Sequence, residues 1–201
     1  QVLKIFHLYT DYYLNIMKTG QELYDVFTSV MLNMRSIYIE VKPELVVVHG
    51  DTSTSTASAL AAFYMQIPVA HVEAGLRTYN MYSPWPEEIN RQITSRLTTY
   101  HFAPTDQAKA NLVKENIDEK RITVTGNTVI DALRFIIKEL DDLPELSMSV
   151  SNQIVESGYD IKRLSDSRRL ILITGHRREN FGLGFSNICK AIKKLSEKFP
   201  D

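Results

Sequence analysis

The chain has 201 residues, of which 44% are hydrophobic and 23% charged, with 23 basic against 24 acidic side chains and a formal net charge of -1. That is ordinary globular composition, long enough for one large or two small domains, and it argues against a polycation working mainly on nucleic acid. The lone Cys189 excludes an internal disulfide and a cysteine zinc cluster, no stretch approaches the ~18 apolar residues of a membrane span, and the first residues do not read as a signal peptide. A reducing, cytoplasmic setting is expected.

Gln1–Phe6 reads as the end of a helix whose start is missing. Gln21–Val41 follows as a long helix, because Leu23, Phe27, Val30, Met31, Met34, Ile37 and Val41 recur at three- and four-residue steps, and Pro43 stops it. Glu44–His49 is a buried strand. Thr52–Met65 is an alanine-rich helix opened by residues able to cap it. Ile67–Val72 is a second strand, Pro86–Leu97 a helix led by Pro-Glu-Glu, and Tyr100–Ala103 a third strand. Next come a helix over Thr105–Glu115 capped by Thr105, a fourth strand over Arg121–Thr125, and a helix over Thr128–Leu140. Asp141–Asp166 is polar and weakly periodic, the best linker candidate. Arg169–Thr174 reads as a fifth strand, and Asn187–Phe199 as an amphipathic helix that ends the chain.

Strands alternating with helices imply right-handed crossovers and a parallel sheet covered on both faces: a doubly wound α/β fold. Residues 1–140 are expected to form most of one domain, 141–168 a linker and 169–201 the start of a second, in a chain that looks like a fragment. Leu45–Val48, Val69–Val72 and Ile122–Val124 should share one sheet, and Leu170–Ile173 should belong to another.

Ligands in such sheets sit beyond the carboxyl ends of the strands. There the sequence places His49-Gly50-Asp51-Thr52, Glu73-Ala74-Gly75-Leu76-Arg77 and Gly175-His176-Arg177-Arg178-Glu179, and the loop 78–86 delivers Glu87 and Glu88 with Arg91 one turn on. Carboxylates, a histidine and arginines together suit acid/base work beside an anion clamp. Each also has a structural reading. Asp51 stands where an N-cap of the alanine-rich helix is expected; Glu87 and Glu88 suit a helical first turn; His176 could cap the last helix, with Arg177 and Arg178 solvated. His49, His71 and His101, on apolar strands, read as satisfied core histidines. Neither a GxGxxG fingerprint nor a P-loop occurs, so a phosphate would be held by a helix N-terminus and side chains.

Five segments in order, 49–78 (HGDTSTSTASALAAFYMQIPVAHVEAGLRT), 83–91 (SPWPEEINR), 102–112 (FAPTDQAKANL), 125–133 (TGNTVIDAL) and 174–180 (TGHRREN), resemble the non-hydrolysing UDP-N-acetylglucosamine 2-epimerases. The resemblance includes DYYLNIM at 11–17 and lapses only around 141–168. It implies two Rossmann-like domains across a cleft, the glycosyltransferase-B architecture, pairing as homodimers. It implies interconversion of UDP-GlcNAc and UDP-ManNAc by expulsion and return of UDP through 2-acetamidoglucal, with neither metal nor nicotinamide. Asp51, Glu73 and Glu87 match the family's catalytic acids, and His176 its histidine facing UDP. Glu87 and Arg177 match positions facing a second UDP-GlcNAc that activates bacterial members. A hydrolysing relative, an epimerase of a diacetamido-uronate sugar, and an inactive nucleotide-sugar-binding module remain open as alternatives.

Overall fold

Four of the five apolar runs become strands of one sheet in the computed structural model of the chain, which describes residues 2–165, 170–173 and 182–199. Strands β1 (Val46–His49), β2 (Val69–Val72), β3 (Tyr100–Ala103) and β4 (Ile122–Val124) lie side by side in chain order and are all parallel. Helices α3 (Ser53–Tyr64), α4 (Glu87–Leu97) and α5 (Asp106–Lys114) connect them. With neighbours taken strictly in order, right-handed crossovers place these three helices on one face. Helix α1 (Val2–Ile5) and the long α2 (Leu23–Val41) precede the sheet, and α3 packs against both α2 and α4.

The helix ends fall where local chemistry puts them. Lys42, ahead of Pro43, adopts the left-handed conformation that closes α2. Thr52 caps α3 by accepting from the backbone N–H of Ser55 at 3.2 Å, and Thr105 caps α5 by accepting from that of Ala108 at 3.1 Å. Asp51 is therefore not the cap of the alanine-rich helix, and it is free for other work.

Register decides what is buried. Val48, His71, His101 and Ile122 form one cross-strand row, all buried on the helix-covered face. One core cluster joins Tyr38, Val46, Val48, Ala59, Ala62 and Val69; a second joins Ala74, Ala103, Ala108, Leu112 and Ile122. Small alanines let α3 and α5 sit close to the strands. Gly75, at φ +88°, serves the same end, because a Cβ there would overlap the carbonyl oxygen of Ala108. On the opposite face, Val47 and Tyr100 are 61% and 50% exposed.

By contacts the chain divides into Gln1–Leu133 and Arg134–Asp201. Helix α6 (Thr128–Asp142) crosses that boundary. The polar stretch read as linker carries α7 (Pro144–Glu156), started by Pro144 with its fixed φ, and a 3₁₀ turn over Ile161–Leu164 that packs against it. Helix α8 (Leu183–Lys198) begins four residues before the expected Asn187. Of the expected fifth strand, Arg169–Thr174, only Leu170–Ile173 lie among the described residues. These residues have no ladder partner among the described residues and are 49–87% exposed. They do not join the sheet of β1–β4. Among the described residues no helix is long and apolar enough to cross a membrane.

Candidate functional site

Two turns meet at the carboxyl edge of the sheet. The chain leaves β1 through Gly50 and Asp51, and leaves β2 through Glu73. Gly50 adopts φ +72° and donates its N–H to the Val72 carbonyl at 3.0 Å, which ties the turns together. Glu73 is itself at φ +69°, a region that costs a residue with a Cβ about 1 kcal/mol or more. Its carboxylate lies over Gly50, where a Cβ would stand 3.4 Å from Oε2. Backbone strain of this kind persists where the surroundings hold it, and here it aims an acid across the neighbouring turn.

His49 belongs to this cluster and not to the core. Its side chain is 59% exposed, with Nε2 3.9 Å from Glu73 Oε2 and 3.5 Å from the hydroxyl of Thr128. The sequence reading missed it because ELVVVH looks uniformly apolar, whereas the period-two alternation turns His49 to the same face as exposed Val47. His71 and His101 are buried as expected but are not both satisfied. His71 has one ring nitrogen bonded and one bare; His101 has neither bonded. Burial pushes each imidazole well below its ordinary range, to about 4.

Asp51 is held from one side. Arg91, one turn into α4, donates from Nε to Oδ2 at 2.9 Å, and its Nη2 forms an ion pair with the same oxygen at 2.7 Å. Oδ1 has no partner among the described residues. The Asn90 amide donates to the Asp51 carbonyl at 2.9 Å. Behind Arg91 stands Glu88, fully buried, which accepts from the backbone N–H of Thr78 at 3.0 Å and of Tyr79 at 3.2 Å, from the Gln92 amide at 3.0 Å, and from Arg91 Nη1 at 3.4 Å. Burial by itself would raise the Glu88 carboxyl, but these donors outweigh it and hold it below the usual carboxylate range.

The Glu87–Glu88 pair thus divides its labour. Glu88 anchors the loop after Gly75 to the start of α4, while Glu87, the first residue of α4, is partly exposed and has no partner among the described residues. Arg91, read with the other arginines as a clamp for a ligand anion, is instead committed to Asp51 and Glu88. Arg77 is likewise internal: its buried guanidinium grips Glu115 at 2.6 and 2.9 Å and Ser95 at 2.9 Å. His176, Arg177 and Arg178 lie outside the described residues. The structure therefore brings together Asp51, Glu73 and His49 on adjacent turns, with Glu87 at the head of the helix that supplies Arg91. One carboxylate is clamped on a single oxygen and the other is strained and partly open. Such a pair can take a proton from carbon and return one.

Known proteins match this chain along its length. The model of the UDP-N-acetylglucosamine 2-epimerase family matches residues 1–201. A UDP-N-acetylglucosamine 2-epimerase of Campylobacter jejuni is 47% identical over 201 residues, covering 100% of this chain and 51% of that protein; that of Escherichia coli K12 is 46% identical, with 52% of its length covered. The crystal structure of UDP-GlcNAc 2-epimerase from Neisseria meningitidis bound to UDP-GlcNAc superposes with a TM-score of 0.88 at 46% identity, over 99% of this chain and 52% of that one. The Methanocaldococcus jannaschii enzyme in complex with UDP-GlcNAc and UDP gives a TM-score of 0.75 at 34% identity, over 99% and 51%. The chain spans about half the length of the curated relatives it matches.

Proposed function

This chain belongs to the UDP-N-acetylglucosamine 2-epimerase family, and we propose that it supplies the sugar-side acids of an enzyme interconverting UDP-GlcNAc and UDP-ManNAc. One observation carries the reading: Asp51, with one oxygen clamped by Arg91 and the other without a partner among the described residues, stands on the turn next to that of Glu73, itself at positive φ, at the carboxyl edge of a parallel sheet. The ligands bound in the two solved relatives, UDP-GlcNAc and UDP, suit this reading.

Inverting C2 requires its hydrogen to leave from one face and a hydrogen to arrive on the other. That hydrogen is weakly acidic. Its removal becomes feasible when the electron pair released at C2 forms a C1–C2 double bond while UDP departs from C1 with the old C1–O pair. The product is 2-acetamidoglucal. Reversal of these steps, with the proton delivered to the opposite face, gives the epimer. Every bond change is balanced by a proton or by UDP, so no redox partner enters. Asp51 and Glu73 serve as the acid and base at C2, and Glu87 as a third carboxylate beside them. His176, with Arg177, meets the diphosphate as its charge develops.

Product analysis of the full-length protein incubated with UDP-GlcNAc tests this. Accumulation of UDP-ManNAc to a stable ratio is expected. Release of free ManNAc with UDP would identify a hydrolysing enzyme, and binding without turnover an inactive module.

A further inference from the structure

We infer that His71 is a positioning residue for the reaction, its Nε2–H holding the Gly50 carbonyl and so setting the peptide from which Asp51 is presented. The inference rests on the reading of Asp51 as a reacting acid. It comes from the turn itself. Three successive carbonyls, from the last residue of β1 onward, each accept a hydrogen bond from a different element: His49 O from the Ser55 hydroxyl of α3 at 2.6 Å, Gly50 O from His71 of β2 at 2.7 Å, and Asp51 O from the Asn90 amide of α4 at 2.9 Å. The Gly50 N–H is fixed on Val72 O. Gly50 is the one residue of this run able to swing freely in φ, and its carbonyl is held from inside the core.

A carbonyl oxygen can only accept, so His71 must carry its proton on Nε2. The other ring nitrogen, Nδ1, is then an acceptor with no partner, buried where the side chain is 0% exposed. Stability alone does not single out this choice: an apolar residue of similar volume would remove the orphaned nitrogen but orphan the Gly50 carbonyl in its place. What an apolar residue cannot do is orient the Gly50–Asp51 peptide. His71 touches no reacting atom; it acts through Gly50.

Two experiments on the full-length protein decide it. In His71→Leu, which keeps bulk and removes the donor, kcat should fall by roughly tenfold to a hundredfold while KM for UDP-GlcNAc is unchanged, the scale expected for a misplaced reacting group. His71→Gln, whose amide N–H reaches the place of Nε2–H, should recover most of that loss. A long-range ¹H–¹⁵N spectrum of the isotope-labelled wild type at neutral pH should show the ring proton on Nε2, and this decides the matter if the leucine variant does not fold. A ring proton on Nδ1, or a folded His71→Leu with wild-type kcat, would overturn the positioning role alone. A wild-type protein without epimerase activity would overturn the functional reading and this role with it.

Discussion

Arg91 holds Asp51 through Oδ2: Nε and Nη2 both converge on it, at 2.9 and 2.7 Å, and Oδ1 has no partner among the described residues. A guanidinium can do this because its donors form a rigid planar fork. The pair is partly shielded, with the Asp51 side chain 27% exposed and that of Arg91 14%. Its geometry is held in turn by buried Glu88 behind the guanidinium.

Arg91→Lys keeps the charge and loses the fork. In the full-length protein it should reduce kcat by at least roughly tenfold, through a mobile Asp51, while the melting temperature changes little. Steady-state kinetics beside a thermal melt checks it; wild-type kcat in Arg91→Lys would show that the clamp does not matter to Asp51.

Asp51→Asn and Glu73→Gln preserve shape and remove the basic oxygen. Each should lower kcat/KM by roughly a hundredfold or more while calorimetric UDP affinity persists. Near wild-type turnover in either variant would remove that residue from the chemistry.

Glu88→Ala tests the division of labour between the two adjacent acids. It strips the partner from two backbone N–H groups and from Arg91 in a buried setting, at a cost of about 3–5 kcal/mol in stability. Denaturant unfolding reads this directly. Glu87→Ala, at a partly exposed position, should leave the midpoint nearly unchanged while slowing turnover.

The parallel sheet was legible because its four strands are apolar runs bounded by turn residues and spaced by helical patterns. The carboxyl-edge rule then led to Asp51 and Glu73 without coordinates. Two things were not legible. His49 sits in an apolar segment, and only the register reveals which face it takes. The roles of Glu87 and Glu88, adjacent and identical in type, separate only in three dimensions, where one turns inward beneath the Thr78–Tyr79 backbone. The spacing of Glu88 and Arg91 at i, i+3 was the available sign that Arg91 has an internal partner.

Acid should weaken the fold through His71 and His101. Both are held neutral by burial, at about 4 against an ordinary 6.5. Between those values the unfolded chain binds more protons than the folded one, so stability rises with pH across the window. The contribution is fully present above pH 6.5 and lost as pH falls toward 4, amounting to roughly 3 kcal/mol for each histidine. Urea midpoints measured from pH 7 to 4.5 should fall accordingly. His101→Leu, which removes two unpartnered nitrogens, should flatten the slope; an unchanged slope would show that His101 is not held neutral.

The most direct test of the account is the fate of the C2 hydrogen. The full-length protein is incubated with UDP-GlcNAc in D₂O, and the UDP-ManNAc formed is examined by mass spectrometry and ¹H NMR. If Asp51 and Glu73 exchange a proton at C2, the product carries one deuterium at that carbon, and Asp51→Asn abolishes its appearance. UDP-ManNAc that forms with its original C2 hydrogen retained would contradict proton transfer by these carboxylates.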